Sequence, residues 1–294
     1  MDQKSKDKKR RPLPRLLEFQ GIRRWGLEQY RRKVRRIYDG PAGHVLPWGS
    51  ILSLHEPLVG HLLRAKKFDV SRFHDILDVG SGAGQILRHL LKVARPDARL
   101  VACDLSTQML RRARQRLKSD RPEFITADIT SLPFPDESFD CVTCGWVLEH
   151  LPDPRPGLAE MARVLRPGGS ILILATEATL SGVIVSRTWK CRTYSRDELR
   201  EACSDVGLTW REQMWFTRFH ELFKMGGILV EATRCNGTTP TPASADRGGI
   251  EQDQDRQSRE RDQEHGKANG PTLQPSSNGS KTDASPTTIS TANP

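Results

Sequence analysis

Apolar side chains are scarce in this 294-residue chain: hydrophobic residues make up 36%, low for a chain packed throughout. The deficit is local. From about Cys235 to Pro294 the only large aliphatic residues are Ile250, Leu273 and Ile289, and there is no Phe, Trp or Tyr. Such a stretch of Thr, Ser, Pro, Gly, Gln, Asp and Arg cannot bury enough apolar surface to offset the entropy of ordering it, so residues 235–294 are expected to be a disordered low-complexity tail. Long apolar runs are also missing. The longest aliphatic one, ILILA at 171–175, is far too short to span a bilayer, and MDQKSKDKKRRP at the start has no apolar run behind its charges, which reads against a secretory leader. A soluble, cytoplasmic protein is the expectation.

A net basic charge is missing from most of the chain. Residues 1–36 hold fourteen Lys and Arg against four acids, which accounts for the whole net charge of +10. The remainder is near neutral, so a broad nucleic-acid-binding surface on the body is disfavoured. Within the basic arm Leu27, Tyr30 and Val34, followed by Ile37 and Tyr38, fall on helical spacing, with Arg31, Arg32, Lys33, Arg35 and Arg36 filling the other faces. Such an amphipathic helix either packs its apolar stripe on the folded body or gives peripheral contact with an anionic membrane. The six cysteines are scattered. Cys141 and Cys144 have CxxC spacing, but on a strand that pair points to opposite faces, whereas a redox CxxC needs a helix N-terminus; buried thiols are expected.

From 74 to 175 apolar runs alternate with amphipathic stretches, the pattern of a parallel sheet with helical crossovers. HDILDV, ARLVACD, EFITAD, FDCVTCGW and SILILAT read as five strands. Ser106 caps the helix after the second strand, and PRPGLAEMARVLRPGG reads as a helix stopped by Pro167 and two glycines. Beyond them, Ser195 with Glu198 three positions later forms a capping box, and LTWREQMWF and GGILVEATR close the sheet. The expected α/β domain, residues 37–234, holds seven mostly parallel strands with helices on both faces.

The chemistry is concentrated after the first strand, in ILDVGSGAG at 76–84. Gly80, Gly82 and Gly84 let backbone amides approach a ligand, with Ser81 between them. The dinucleotide fingerprint GxGxxG is absent, because the third glycine comes one residue early. Asp78 so close to the turn would repel a pyrophosphate and favour a ligand bearing an ammonium group. Asp104, followed by Leu105 at the end of strand two, can accept ribose hydroxyls. At the end of strand three Asp128 can receive an adenine amino group, and the amide of Ile129 can donate to its ring. A nucleoside with an amino-acid tail fits this set.

That combination, with LPFPDESFDCVTCGWVLEHLPDPRPGLAEMARVLRPGGSILI, resembles the class I S-adenosylmethionine-dependent methyltransferases, type 11 group, in the branch related to ubiquinone and menaquinone C-methyltransferases. The resemblance is strong over 74–176. It implies a Rossmann-like fold with S-adenosyl-L-methionine as cofactor, held by Asp78, Gly80, Ser81, Gly82 and Gly84 at the methionine end. Asp104 and Leu105 would hold the ribose and Asp128 and Ile129 the adenine, with Cys144 and Gly145 near the methyl group. Glu149 and His150 are candidate proton acceptors, although LEHLPDP is common to the group whatever the substrate. Nucleobase N-methyltransferases carry an acid or Asn followed by Pro-Pro-aromatic after strand four; CGWVLEH stands there instead, so nucleic acid is disfavoured as substrate. Trp25, Trp48, Trp189, Trp210, Trp215 and Phe216 suggest a cap over a flat or apolar acceptor, a small molecule or lipid. No metal site is expected. Two other readings stay open: an NAD(P)-dependent oxidoreductase, and a non-catalytic scaffold of the same fold that binds membrane or RNA through its arm.

Overall fold

In the computed structural model, residues 26–40, 55–223 and 227–235 are described. The element order is α1 (Leu27–Asp39), α2 (His55–Arg64), β1 (Asp75–Val79), α3 (Leu87–Val93), β2 (Arg99–Asp104), α4 (Thr107–Leu117), β3 (Pro122–Thr126), β4 (Phe139–Gly145), α5 (Arg155–Val164), β5 (Leu165–Ala175), α6 (Leu180–Trp189), α7 (Arg196–Asp205), β6 (Leu208–Gln213), α8 (Arg218–Leu222) and β7 (Ile228–Arg234). Helical single turns lie at Val70–Arg72 and Leu148–His150. The seven strands join in the order β3-β2-β1-β4-β5-β7-β6, with β7 antiparallel to both β5 and β6.

Strand periodicity divides the core in two, because successive side chains leave a strand on opposite faces. Leu77, Val101, Val142, Ile171 and Ile173 enter one cluster, packed with Tyr30 and Val34 of α1, Leu158 and Met161 of α5 and Leu199 of α7. Ile76, Leu100, Cys141, Leu172 and Leu174 enter the other, with Leu62 and Leu63 of α2 and Leu87 and Leu90 of α3. Cys141 and Cys144 therefore sit in different clusters, both buried. Burial pushes both thiols well above the usual range.

Local signals end the helices where the sequence places them. Ser106 Oγ accepts from the Met109 amide at 3.1 Å, and Ser195 Oγ accepts from that of Glu198 at 3.2 Å. One boundary differs: α5 stops at Val164 and β5 already starts at Leu165, paired with Phe139. Pro167 disfavours helical geometry at Arg166, which moves the break ahead of the glycines. Helix α1 runs through positions 36 and 37, so the boundary drawn there divides a helix whose Tyr30 and Val34 are core residues. The expected tail lies outside the described residues, apart from Cys235.

Candidate active site

The order β2-β1-β4-β5 places β1 beside β4, where the chain reverses the direction in which it adds strands. Open α/β sheets bind ligands outside the carboxyl ends of their strands at such a point. A cavity of about 540 Å³ opens there, a size usual for a small-ligand site. Asp78 to Gly82 border it after β1, Asp104 and Leu105 after β2, Gly145 to Val147 after β4, and Ala175 to Glu177 after β5.

Gly80, Gly82 and Gly84 all adopt positive φ, at 68°, 54° and 79°. A Cβ on Gly80 would overlap Val147 Cγ2, so only glycine lets the turn after β1 pass under the loop after β4. Asp78 is 1% exposed; its Oδ1 accepts from Thr143 Oγ1 at 2.7 Å, and its Oδ2 is buried without a partner. Asp104 Oδ2 accepts from the Gly82 amide at 2.9 Å and its Oδ1 from the Ser106 amide at 2.8 Å, which ties the second strand's acid to the glycine turn. Burial raises both carboxyls to about 6, against hydrogen bonds that lower them.

On the opposite wall Glu149 and His150 belong to the turn after β4. Glu149 Oε1 accepts from the Thr176 amide at 2.6 Å, its Oε2 is buried without a partner, and burial raises its carboxyl to about 7. His150 Nε2 lies 2.7 Å from Tyr38 Oη, and burial, with the Lys33 cation second, lowers the imidazole to about 3. Tyr30, Val34 and Tyr38 line the cavity, so α1 forms one of its walls. Five polar contacts hold that helix: Arg31 Nε to Asp128 Oδ2 at 2.6 Å, Lys33 Nζ to the Lys190 carbonyl, Tyr38 to His150, Ser106 Oγ to Asp39, and Arg112 to the Tyr38 carbonyl.

Residues 77–173 match the family model described as a methyltransferase domain. Over 166 residues the chain is 30% identical to the ubiquinone/menaquinone biosynthesis C-methyltransferase of Hahella chejuensis, covering 55% of this chain and 66% of that protein. Over 99 residues it is 48% identical to the demethylmenaquinone methyltransferase of Clavibacter sepedonicus, covering 33% of this chain and 39% of that protein. The chain carries a class I methyltransferase domain of the type 11 group. It spans just under two thirds of the first of these relatives and about two fifths of the second. Two solved structures share the methyltransferase fold. One is in complex with the Haloferax volcanii Trm112 methyltransferase activator (TM-score 0.54, 23% identity, 66% of this chain and 97% of that one). The other is a methyltransferase from Thermotoga maritima (TM-score 0.51, 20% identity, 68% and 98%).

The class uses S-adenosylmethionine, and the residues of this methyltransferase domain fit it. A buried carboxylate oxygen without a partner, Asp78 Oδ2, stands beside a turn that tolerates no side chain at Gly80, which suits the cationic end of that molecule. Of the residues expected at the site, Asp78, Gly80, Ser81, Gly82, Asp104, Leu105, Ile129, Glu149 and His150 line the cavity. Three do not. Cys144 is fully buried on the core side of β4, whereas Gly145, expected beside it, lines the cavity. Gly84 lies under α4, where a Cβ would come within 3.0 Å of Leu117. Asp128 is paired with Arg31 and bonded to Thr130 rather than turned to the cavity.

Of the aromatic residues expected to cap the site, Phe216 lines the cavity, while Trp210 and Trp215 pack under Arg200 and Arg196. Trp25, Trp48 and the Trp189 side chain fall outside the described residues. His55, Trp146 and His220 also line the cavity and were not foreseen. The rings of His55 and Trp146 meet edge to face at 5.1 Å. Trp146, which follows the last residue of β4, carried a signal in its position alone.

Among the described residues no helix is long and apolar enough to cross a membrane, and no group of three or more His, Cys, Asp or Glu could hold a metal ion.

Proposed function

We propose that this domain binds S-adenosylmethionine in the cavity and transfers its methyl group in line to a small-molecule or lipid-like acceptor. The observation that carries it is the pair of carboxylates, buried Asp78 and half-buried Asp104, near the ends of adjacent strands around a turn of left-handed glycines. When bound, the cofactor supplies a methyl carbon already activated on a sulfonium. The chain's own work is alignment and exclusion of water, and holding two reactants in line can supply about 7 to 11 kcal/mol of a barrier. Asp78 holds the ammonium group and Asp104 the ribose, while Ile129 flanks the adenine. Arg31 occupies the Asp128 oxygen that an adenine amino group would use, so contact there requires that ion pair to open.

Glu149 takes the proton from the acceptor. It is buried, fixed by the Thr176 amide and titrates near neutrality, as a general base requires. His150, held neutral by burial and bonded to Tyr38, positions the wall. The names of the relatives, which include a malonyl-[acyl-carrier protein] O-methyltransferase 35% identical over 183 residues, support non-nucleic-acid acceptors. On this reading the catalytic body of a cytoplasmic enzyme is the expected 37–234 domain together with α1, and the basic arm offers peripheral contact with anionic membrane.

Titration calorimetry is expected to give micromolar binding of S-adenosylmethionine that Asp104→Ala abolishes. Labelled S-adenosylmethionine with fractionated extract should place label in lipid or small metabolites and not in RNA. Absence of binding, or stabilisation by NADH without stabilisation by S-adenosylhomocysteine, would overturn the proposal.

A further inference from the structure

Among the described residues the exposed large hydrophobic side chains are Ile184, Phe219, Leu222 and Phe223, at 68%, 60%, 77% and 56% exposure. Their placement is not scattered. All four lie on α6 or on α8 and the residue that ends it, the two helices whose N-terminal segments border the cavity through Thr179 and Gly182, and through Phe216 and His220. Helix α8 buries none of its five residues. Phe219, Leu222 and Phe223 nevertheless follow the i, i+3, i+4 spacing that puts them on one face. The Phe219 and Phe223 rings pack at 4.6 Å. Phe219 meets His220 at 6.1 Å, and His220 meets the buried Phe216 at 5.8 Å. A row of rings thus runs from the cavity wall to solvent.

We infer that α6 and α8 form a docking surface for an anionic lipid bilayer and set the mouth of the cavity against the headgroup layer. Charge selects this occupant. The exposed charged side chains of the two helices and their caps include Lys190 and Arg218 against Glu221, so basic charge is in excess on the elements that carry the exposed apolar side chains. That is the composition that lies in a bilayer interface, with rings among the headgroups and cations on anionic lipid. Delivery of a lipid-dissolved acceptor is the use this surface would have, and that use rests on the methyl-transfer proposal; binding to lipid does not.

The test is co-sedimentation of the full chain with phosphatidylcholine vesicles, with and without phosphatidylglycerol. It is run at low salt and again at about 1 M salt, where charges are screened beyond about 3 Å. The basic arm contributes only at low salt. The parent chain should retain binding at high salt, and the double variant Phe219→Ser with Leu222→Ser should lower that partition about tenfold or more. Its melting temperature and its binding of S-adenosylhomocysteine should stay unchanged. Independently, Leu222→Trp should add emission that brominated lipid quenches. Three results would overturn the inference: no vesicle binding at high salt, a double variant that binds like the parent, or concentration-dependent dimers that the double variant abolishes, which would assign the face to a second copy.

Discussion

Asp78→Asn separates the electrostatic role of the site from its shape. In the ligand-free protein burial raises the Asp78 carboxyl from 3.8 to about 6, with Asp104 adding repulsion. A carboxyl whose folded pKa lies above its unfolded value keeps its proton longer in the native state, so stability is greatest below about pH 4 and declines as pH rises through 6. A shift of about two units corresponds to roughly 3 kcal/mol lost above pH 6. A bound ammonium or sulfonium reverses this by favouring the anion. If only the ionised form binds, about one tenth of the sites are competent at pH 5, so the affinity for S-adenosylmethionine should be about tenfold weaker there than at pH 8. The assay is a pair of measurements across pH 5 to 8, calorimetric affinity and ligand-free melting temperature. Asp78→Asn should bind weakly with a much shallower pH dependence, since Asp104 alone remains to titrate, and should melt above the parent at pH 8. If the variant keeps the parent's affinity, or melts lower by the same margin at pH 5 and pH 8, the charge assignment is wrong.

Gly80→Ala should destabilise the domain by about 1 to 3 kcal/mol through its left-handed φ alone, with more from the overlap with Val147, and calorimetry should find cofactor binding lost. With five cysteines buried and Cys235 partly exposed, a thiol reagent should modify one residue quickly in the native protein and six after denaturation; two or more fast thiols would contradict the burial of the other five.

The sheet was legible because its central strands carry their own evidence: apolar runs of the right length such as ILDV and LVACD, an acid or glycine at the ends of β2 and β4, and caps such as Ser106 and Ser195 on the helices between. Asp78 and Asp104 were legible for the same reason, since the end of a parallel strand is where a functional side chain must stand. Cys144 and Gly145 were expected together at the end of β4, and only Gly145 lines the cavity. A strand end serves the core and the cavity alternately, and nothing in FDCVTCGW fixes which residue is last. The wall made by Tyr30, Val34 and Tyr38 was visible as a helical stripe but not as part of the site, because an amphipathic helix does not name its partner. His55 and His220 border one cavity only through tertiary packing, with more than 150 residues between them. No local pattern records that encounter.

The position of β7 bears on how the domain is made. Strand β5 takes its outer neighbour from the last strand of the described residues, and β6 reaches the sheet only through that strand. On a ribosome, where the chain emerges from its N-terminus, the apolar edge Ile171 to Ala175 stays open until Ile228 to Arg234 has been released, and unpaired edges of this kind invite association with other chains. A chain ending before residue 228 would lose two strands and leave β5 unprotected. Late closure of this edge makes the domain's last seven strand residues a checkpoint in biogenesis as well as a part of the finished sheet.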